Sequence, residues 1–334
     1  MKKLMRTKFL GLIVVVIVFS LYSCGNTSLR IPASKRPAIS VKIKRYGTAL
    51  FSLDTLNFKV SAERLKKQFP FFLDADLNNK ANYQQLYGFV TDTAIIHVYH
   101  KTREVFPNLD ELQKSLSSEF SYIKYYFPHY RLPQVYSYVS DLYFEQPIMK
   151  KDSVLVIALD DYLGENYLQY KQLNIPLYHR RLMKPEYIPV DVAKYLYIHD
   201  FSHSFQPQTL LDNMIQAGKM LYFMDAVLPE TPDSLKMGYT HEQWQWMEQH
   251  KKEVWAVMVN DQMLFSGDFM VIKKMMQQGP FTDGFPRTAP SSMGAWFGWQ
   301  MVKKYMQRHP KTTLSQLLKM KDSQQLLQES GYKP

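Results

Sequence analysis

Residues 133–164 read Pro-Gln-Val-Tyr-Ser-Tyr-Val-Ser-Asp-Leu-Tyr-Phe-Glu-Gln-Pro-Ile-Met-Lys-Lys-Asp-Ser-Val-Leu-Val-Ile-Ala-Leu-Asp-Asp-Tyr-Leu-Gly, and this stretch decides the fold class. Val135, Ser137 and Val139 alternate with Tyr136 and Tyr138, the two-residue period of a strand with two different faces. Residues 154–159 are apolar without alternation, as expected of a central strand covered on both sides, and Asp160-Asp161-Tyr162-Leu163-Gly164 closes it. A further strand is expected across 142–145. Upstream, 42–53 alternates loosely and reads as an extended segment, followed by a short helix over 60–68 that Pro70 stops. Asn108 and Glu111 form a capping-box pattern ahead of Leu109, Leu112, Leu116, Phe120 and Ile123, whose spacing predicts a helix to about residue 125. From Pro189 onward the chain reads as helices over 189–205, 209–226, 241–274 and 293–309, with two short ones after Thr312. Pro207, Pro229, Pro232, Gly279-Pro280, Pro286 and Pro290 punctuate them. A few strands followed by a run of helices predict an α+β body, with a small N-terminal sheet and a largely helical C-terminal half packed on it.

The 334 residues suffice for one large core or two smaller ones, and 46% hydrophobic with 21% charged residues exclude disordered, collagen-like and multi-span membrane classes. The net charge of +11 suggests nucleic acid, yet residues 1–53 hold ten Lys and Arg and no acid, which leaves +1 for the rest. A nearly neutral body lacks the positive field that phosphate binding needs, so no nucleic-acid partner is expected. Cys24 is the only cysteine, so the body has no disulfide framework, Cys-based zinc site or thiol nucleophile.

The basic run Lys2–Lys8 leads into 14 apolar residues, 9–22, too short for a membrane span of about 20 but suited to a signal-peptide core. A signal peptide is expected over 1–23. Leu21-Tyr22-Ser23-Cys24 resembles a bacterial lipobox, which makes Cys24 the lipidated first residue of the mature chain; an uncleaved anchor or an ordinary signal peptide is the alternative. Residues 24–45 are rich in Ser, Pro, Lys and Arg and read as a basic tether, attracted to anionic headgroups or simply solvated. Residues 46–334 are expected to form a single globular body.

His199-Asp200-Phe201-Ser202-His203 is the sharpest local signal, because two histidines at i and i+4 of a helix share a face and can reach one metal ion. In a zincin the residue after the first His is a Glu that polarises metal-bound water; Asp200 is one methylene shorter. The stretch 214–219, where a further ligand would stand, carries no carboxylate, and Asp212 and Asp225 lie off it. His199 and His203 are therefore candidate zinc ligands of a weak site, and the plainer reading is a pair of satisfied, partly buried histidines; no cofactor and no catalytic residue is expected. Asp160 and Asp161, with Glu165 nearby, offer a paired-carboxylate or cation site, against the plainer reading of a solvated turn. Gly294 and Gly298 sit among Trp296 and Trp299, which predicts close approach of a neighbouring backbone, with the two indoles either in the core or lining a peptide or glycan groove. No P-loop, G-x-S-x-G or G-x-G-x-x-G is present.

Several segments together resemble one family. They are Cys24, Ile-Lys-Arg-Tyr-Gly-Thr-Ala-Leu-Phe-Ser-Leu at 43–53, Phe69-Pro70-Phe71-Phe72, Ala158-Leu159-Asp160 with Tyr162-Leu163-Gly164, and Thr209-Leu210-Leu211 with Met214-Ile215 and Gly218-Lys219. Asp225-Ala226-Val227-Leu228-Pro229, Gly279-Pro280-Phe281-Thr282 and Gly-Ala-Trp-Phe-Gly-Trp-Gln-Met-Val-Lys-Lys-Tyr at 294–305 complete the set. The chain resembles the gliding-motility lipoprotein GldB family of the Bacteroidetes, with Gly47 departing from the acid expected after Tyr46. The resemblance implies a degenerate zincin-like body, with Asp200 for the catalytic Glu and Gln216 or Ala217 where a Glu ligand would stand. It also implies an envelope lipoprotein that supports the motility or secretion machinery by binding partners; a non-catalytic scaffold that binds them through the C-terminal helical half and the loop from Gly279 to Pro290 is the leading expectation. Surface-exported lipoproteins of that group carry acids after the lipidated cysteine; here none precedes Asp54, which favours a periplasm-facing protein in either membrane. The rival expectations are a zinc metallopeptidase using His199-Asp200-x-x-His203 and a cell-wall binder using Trp296 and Trp299.

Overall fold

The computed structural model describes residues 29–203 and 205–334; the expected signal peptide and Cys24 lie outside them. The chain is α+β. Strand β1 (Ile43–Arg45) runs directly into α1 (Tyr46–Leu50), followed by α2 (Phe58–Gln68), α3 (Lys80–Thr91), α4 (Thr93–Val105) and α5 (Asp110–Tyr126). Strands β2 (Gln134–Tyr138), β3 (Ile148–Lys151) and β4 (Val154–Ala158) complete a mixed sheet of order β1-β2-β4-β3. β1, β2 and β4 are parallel, with Ile43 opposite Val135 and Tyr136 opposite Val156, whereas β3 is antiparallel to β4. The helical half comprises α6 (Leu168–Gln172), α7 (Leu177–Arg180), α8 (Ile188–Leu196), α9 (Leu210–Val227) and α10 (Asp233–Met237). It ends with α11 (His241–Asn260), α12 (Phe269–Met276), α13 (Met293–Arg308), α14 (Leu314–Lys319) and α15 (Ser323–Ser330).

The two faces expected of β2 have different neighbours. Val135 and Val139 join the main core with Leu116, Leu155 and Ile188, while Tyr136 packs against Phe69 and Phe72. Tyr46, Leu50, Phe58, Ala62, Leu65 and Val90 form a satellite core on that second side, where Tyr46 stacks on Phe72 with ring centroids 4.0 Å apart.

Four expectations need correction. Residues 142–145 do not form a strand. Asp141 and Leu142 both have left-handed φ, 63° and 62°, because the Leu142 amide turns inward to donate to Asp160; the strand comes later, at β3. The extended reading of 42–53 holds for three residues only, before α1 begins. The helix expected over 241–274 breaks between α11 and α12, since the intervening loop supplies the carbonyls of Leu264 and Ser266 to the first amides of α9. The stretch read as tether is docked along α5 near its end. Ser121 donates to the Pro37 carbonyl, Ser117 accepts from the Val41 amide, and the Arg36 guanidinium lies 3.8 Å from the centre of the Tyr122 ring.

The helical half is organised by the crossing of α9 and α13. A Cβ on Gly298 would lie 1.7 Å from the Met214 carbonyl oxygen, and one on Gly218 would lie 2.3 Å from the Gly298 carbonyl carbon. Only glycine at both positions lets the two backbones touch. Asp225 of α9 fastens the same joint, accepting from Lys236 Nζ at 2.7 Å and from Trp299 Nε1 at 2.6 Å, with the Lys303 ammonium 3.7 Å from the Trp299 ring centre. This joint fixes α9, α10 and α13 around the cleft described next.

Candidate functional site

The two histidines do not share a helical face. α8 continues into a π-turn, Tyr197–Phe201, and Ser202 is extended, so His203 lies beyond the helix. The wider turn breaks the i, i+4 stacking on which paired ligation depends. Both histidines are exposed, contrary to the reading of a partly buried pair, and His199 rests on the Tyr195 ring with centroids 4.1 Å apart. Asp200 has other partners. Its carboxylate pairs with Lys150 Nζ at 2.7 Å and accepts from the Tyr130 hydroxyl in a mostly buried setting. Among the described residues no group of three His, Cys, Asp or Glu is placed to hold a metal ion, so these residues do not fit a zinc centre.

Gly294, Trp296, Gly298 and Trp299 lie together on α13, and the indoles are 1% and 0% exposed. The geometry is that of core packing, and neither ring lines an open groove. Of α13, Ala295 lines a neighbouring cleft.

That cleft begins at the carboxyl ends of β2 and β4, where open sheets with parallel strands commonly present binding groups. Asp160 and Asp161 follow β4 directly and are 0% and 2% exposed, so the solvated-turn reading is overturned. Asp160 accepts from the Ser140 amide and hydroxyl at 2.9 Å and 3.0 Å and from the Leu142 amide at 2.8 Å, pinning the end of β2 to the end of β4. Asp161 is different: neither of its carboxylate oxygens has a hydrogen-bond partner. The Ser140 hydroxyl, close enough to favour the Asp161 anion slightly, donates to Asp160 instead. Burial, and secondarily the Asp160 charge, push the Asp161 carboxyl up to about 9. Of the coupled pair, Asp160 has the donors that stabilise an anion, so the proton resides on Asp161. Glu165 stands apart, 3.5 Å from Lys184.

Asp161 borders a cavity of about 210 Å³ whose lining includes Glu145, Tyr162, His179, Asp191 and Lys194, with its own carboxylate oxygens buried in the wall. Asp191 accepts from the Tyr162 hydroxyl at 2.8 Å and is raised to about 6 by burial, partly offset by Lys194. Burial lowers His179, keeping it neutral. Leu182, Lys194 and Lys236 are shared with a second lobe, also about 210 Å³, lined by Arg181, Tyr239, Gln243 and Ser292. Gly279, at the start of the loop singled out from the sequence, borders this lobe. Asp191, His179, Lys194 and Lys236 carry no motif. The i, i+3 spacing of Asp191 and Lys194 on α8 is the single local signal that could have pointed to them.

These features define an α+β protein with a polar cleft at the carboxyl ends of its parallel strands, with carboxyl groups in one lobe, Arg181 in the other and Lys194 and Lys236 shared between them. The sequence model of the family described as gliding motility protein GldB matches residues 28–334, and the chain belongs to that family. No curated protein and no solved structure matches the chain. Among the described residues no helix is long and apolar enough to cross a membrane.

Proposed function

We propose that this GldB-family protein is a lipid-anchored, periplasm-facing envelope component that supports the motility or linked secretion machinery by binding partners, without catalysis of its own. The carrying observation is the fate of Asp200. It stands where a zincin has its catalytic carboxylate, and it is tied to Lys150 and Tyr130 instead of facing water between two histidines. A carboxylate held in an ion pair is a poor general base. Partner binding falls to the cleft between α7, α10 and the start of the loop from Gly279 to Pro290, whose two lobes gather Asp161, His179, Arg181, Asp191, Lys194 and Lys236.

The test has two arms. Purified mature protein and its His199→Ala, His203→Ala double mutant are analysed for bound zinc and for peptidase activity; stoichiometric zinc lost in the mutant, with metal-dependent cleavage, overturns the proposal in favour of a metallopeptidase. In cells, a photo-crosslinking residue at Asp283, exposed in the loop, is expected to capture an envelope protein, and the same residue at exposed Lys67 on α2 is expected not to.

A further inference from the structure

A buried carboxyl with no hydrogen-bond partner is rare in native proteins, because an unpaired group loses its hydration without gaining a replacement. Asp161 is such a group, 2% exposed, and it lines a cavity. Among the described residues no donor makes a hydrogen bond to it. The Ser140 hydroxyl and the Ser140 and Leu142 amides serve Asp160. Lys236, which also lines the cavity, is held by Asp225 at 2.7 Å and Asp233 at 3.4 Å. Lys194 sits on the same helix as Asp191 and favours that carboxylate. His179 is neutral and carries no competing charge. A divalent cation does not fit, since Asp160 is saturated by its own donors and no three-ligand group is present among the described residues.

The walls decide what kind of donor fits. Leu182, Met183, Val190 and Met237 give the lobe apolar sides, with Glu145, Asp161 and Asp191 as its acidic groups and Lys194 and Lys236 on the wall it shares with the second lobe. An apolar stem ending in a cationic head matches that order of surfaces. We infer that the Asp161 lobe binds a primary ammonium or guanidinium group on an aliphatic stem, namely a lysine or arginine side chain of a partner polypeptide. The inference rests on the reading of this cleft as the docking site. Lys194, on the shared wall, and Arg181, in the second lobe, suit the carbonyl oxygens or an acidic neighbour in the same peptide. On binding, the Asp161 carboxyl gives its proton to the buffer and the resulting carboxylate accepts hydrogen bonds from the cation, which keeps its own charge.

The mature full-length chain in detergent is titrated calorimetrically at pH 7 with N-acetyl-lysine methylamide, N-acetyl-arginine methylamide, 1,5-diaminopentane and N-acetyl-norleucine methylamide, in two buffers of different ionisation enthalpy. At least one of the two cationic amino-acid probes should bind saturably with release of about one proton, as expected for a carboxyl protonated when empty. The norleucine probe, with the stem and no charge, should not bind. Asp161→Asn should weaken the cationic probe about ten-fold or more, the loss expected for one charged hydrogen-bonded contact. No saturable binding of either cationic probe, binding unchanged in Asp161→Asn, or binding without proton release would overturn the inference. Tighter binding of 1,5-diaminopentane than of both amino-acid probes would overturn the polypeptide assignment in favour of a free amine. Failure here with a partner still captured from Asp283 removes the inference alone; failure of the capture removes the docking reading.

Discussion

Asp161→Asn should stabilise this protein, and by an amount that grows with pH. In the unfolded chain the carboxyl ionises near 4, whereas in the folded state burial and Asp160 push it up to about 9. Between those values the folded protein retains a proton that the unfolded chain releases. The unfolded state then binds fewer protons, so stability falls as pH rises through this window. The slope for one group is about 1.4 kcal/mol per pH unit, which accumulates to about 4 kcal/mol by pH 7. Asparagine keeps the shape, removes the titration and leaves one unpaired amide, worth about 1 kcal/mol against it. The expected net gain at pH 7 is therefore about 1 to 3 kcal/mol. Urea unfolding of the mature chain and the mutant at pH 5 and pH 8 measures it. Other buried carboxyls, such as Glu119 and Asp191, are common to both proteins and cancel in the difference. The gap should widen by up to about 4 kcal/mol between the two pH values. A mutant less stable at both, or a gap independent of pH, would show that Asp161 is ionised and satisfied in the folded state.

Gly298→Ala places a Cβ 1.7 Å from the Met214 carbonyl oxygen and should cost about 3 kcal/mol or more in thermal denaturation, because helix backbone must move. Gly88→Ala in α3, where nothing lies within 4 Å, should be neutral or stabilising by about 0.5 to 1 kcal/mol and serves as its control. Lys236→Met strands the buried Asp225 carboxylate and should cost about 3 to 5 kcal/mol in urea, with much of it recovered by adding Asp225→Asn. The His199→Ala, His203→Ala pair should shift stability by no more than about 0.5 kcal/mol, since both side chains are exposed. Asp200→Ala should cost about 1 to 3 kcal/mol by leaving Lys150 and Tyr130 without their acceptor, and thermal melts of the two mutants side by side would expose the reverse order.

The parts of the fold that were legible in the sequence are those whose burial imposes a period. The alternation at 135–139 and the apolar run at 154–158 gave strands, and Leu116, Phe120 and Ile123 gave α5, because each series faces one core. α3 and α4 were not legible. They bury few apolar residues and owe their starts to Asn79 and Asp92, whose side chains accept from the following amides in a way that composition alone does not show. The strand wrongly expected at 142–145 has the same origin in reverse: an apolar Leu-Tyr-Phe run turns because Asp160, 18 residues later, captures the Leu142 amide. Gly294 and Gly298 correctly announced a close backbone approach, since a glycine pair four residues apart has a local meaning. Their partner Gly218 could not be identified without the crossing itself.

The candidate site followed the same division. Motif logic drew attention to His199 and His203, whose spacing has chemical meaning only on a regular helix, and one extra residue per turn cancels it. The Asp160-Asp161 pair looked like a turn because adjacent acids usually are solvated. Its character comes from a division of labour that only the fold creates. Ser140 and Leu142 supply every available donor to Asp160, which makes that residue the anion and joins the ends of two parallel strands. The same allocation leaves Asp161 buried, unpaired and beside a negative charge. A chain needing only a rigid turn would gain stability by replacing Asp161 with a neutral residue of similar shape. Keeping a destabilising carboxyl in the wall of a cleft fits the common trade of stability for a binding group, and what relieves it is a ligand that supplies the hydrogen bonds Asp161 lacks.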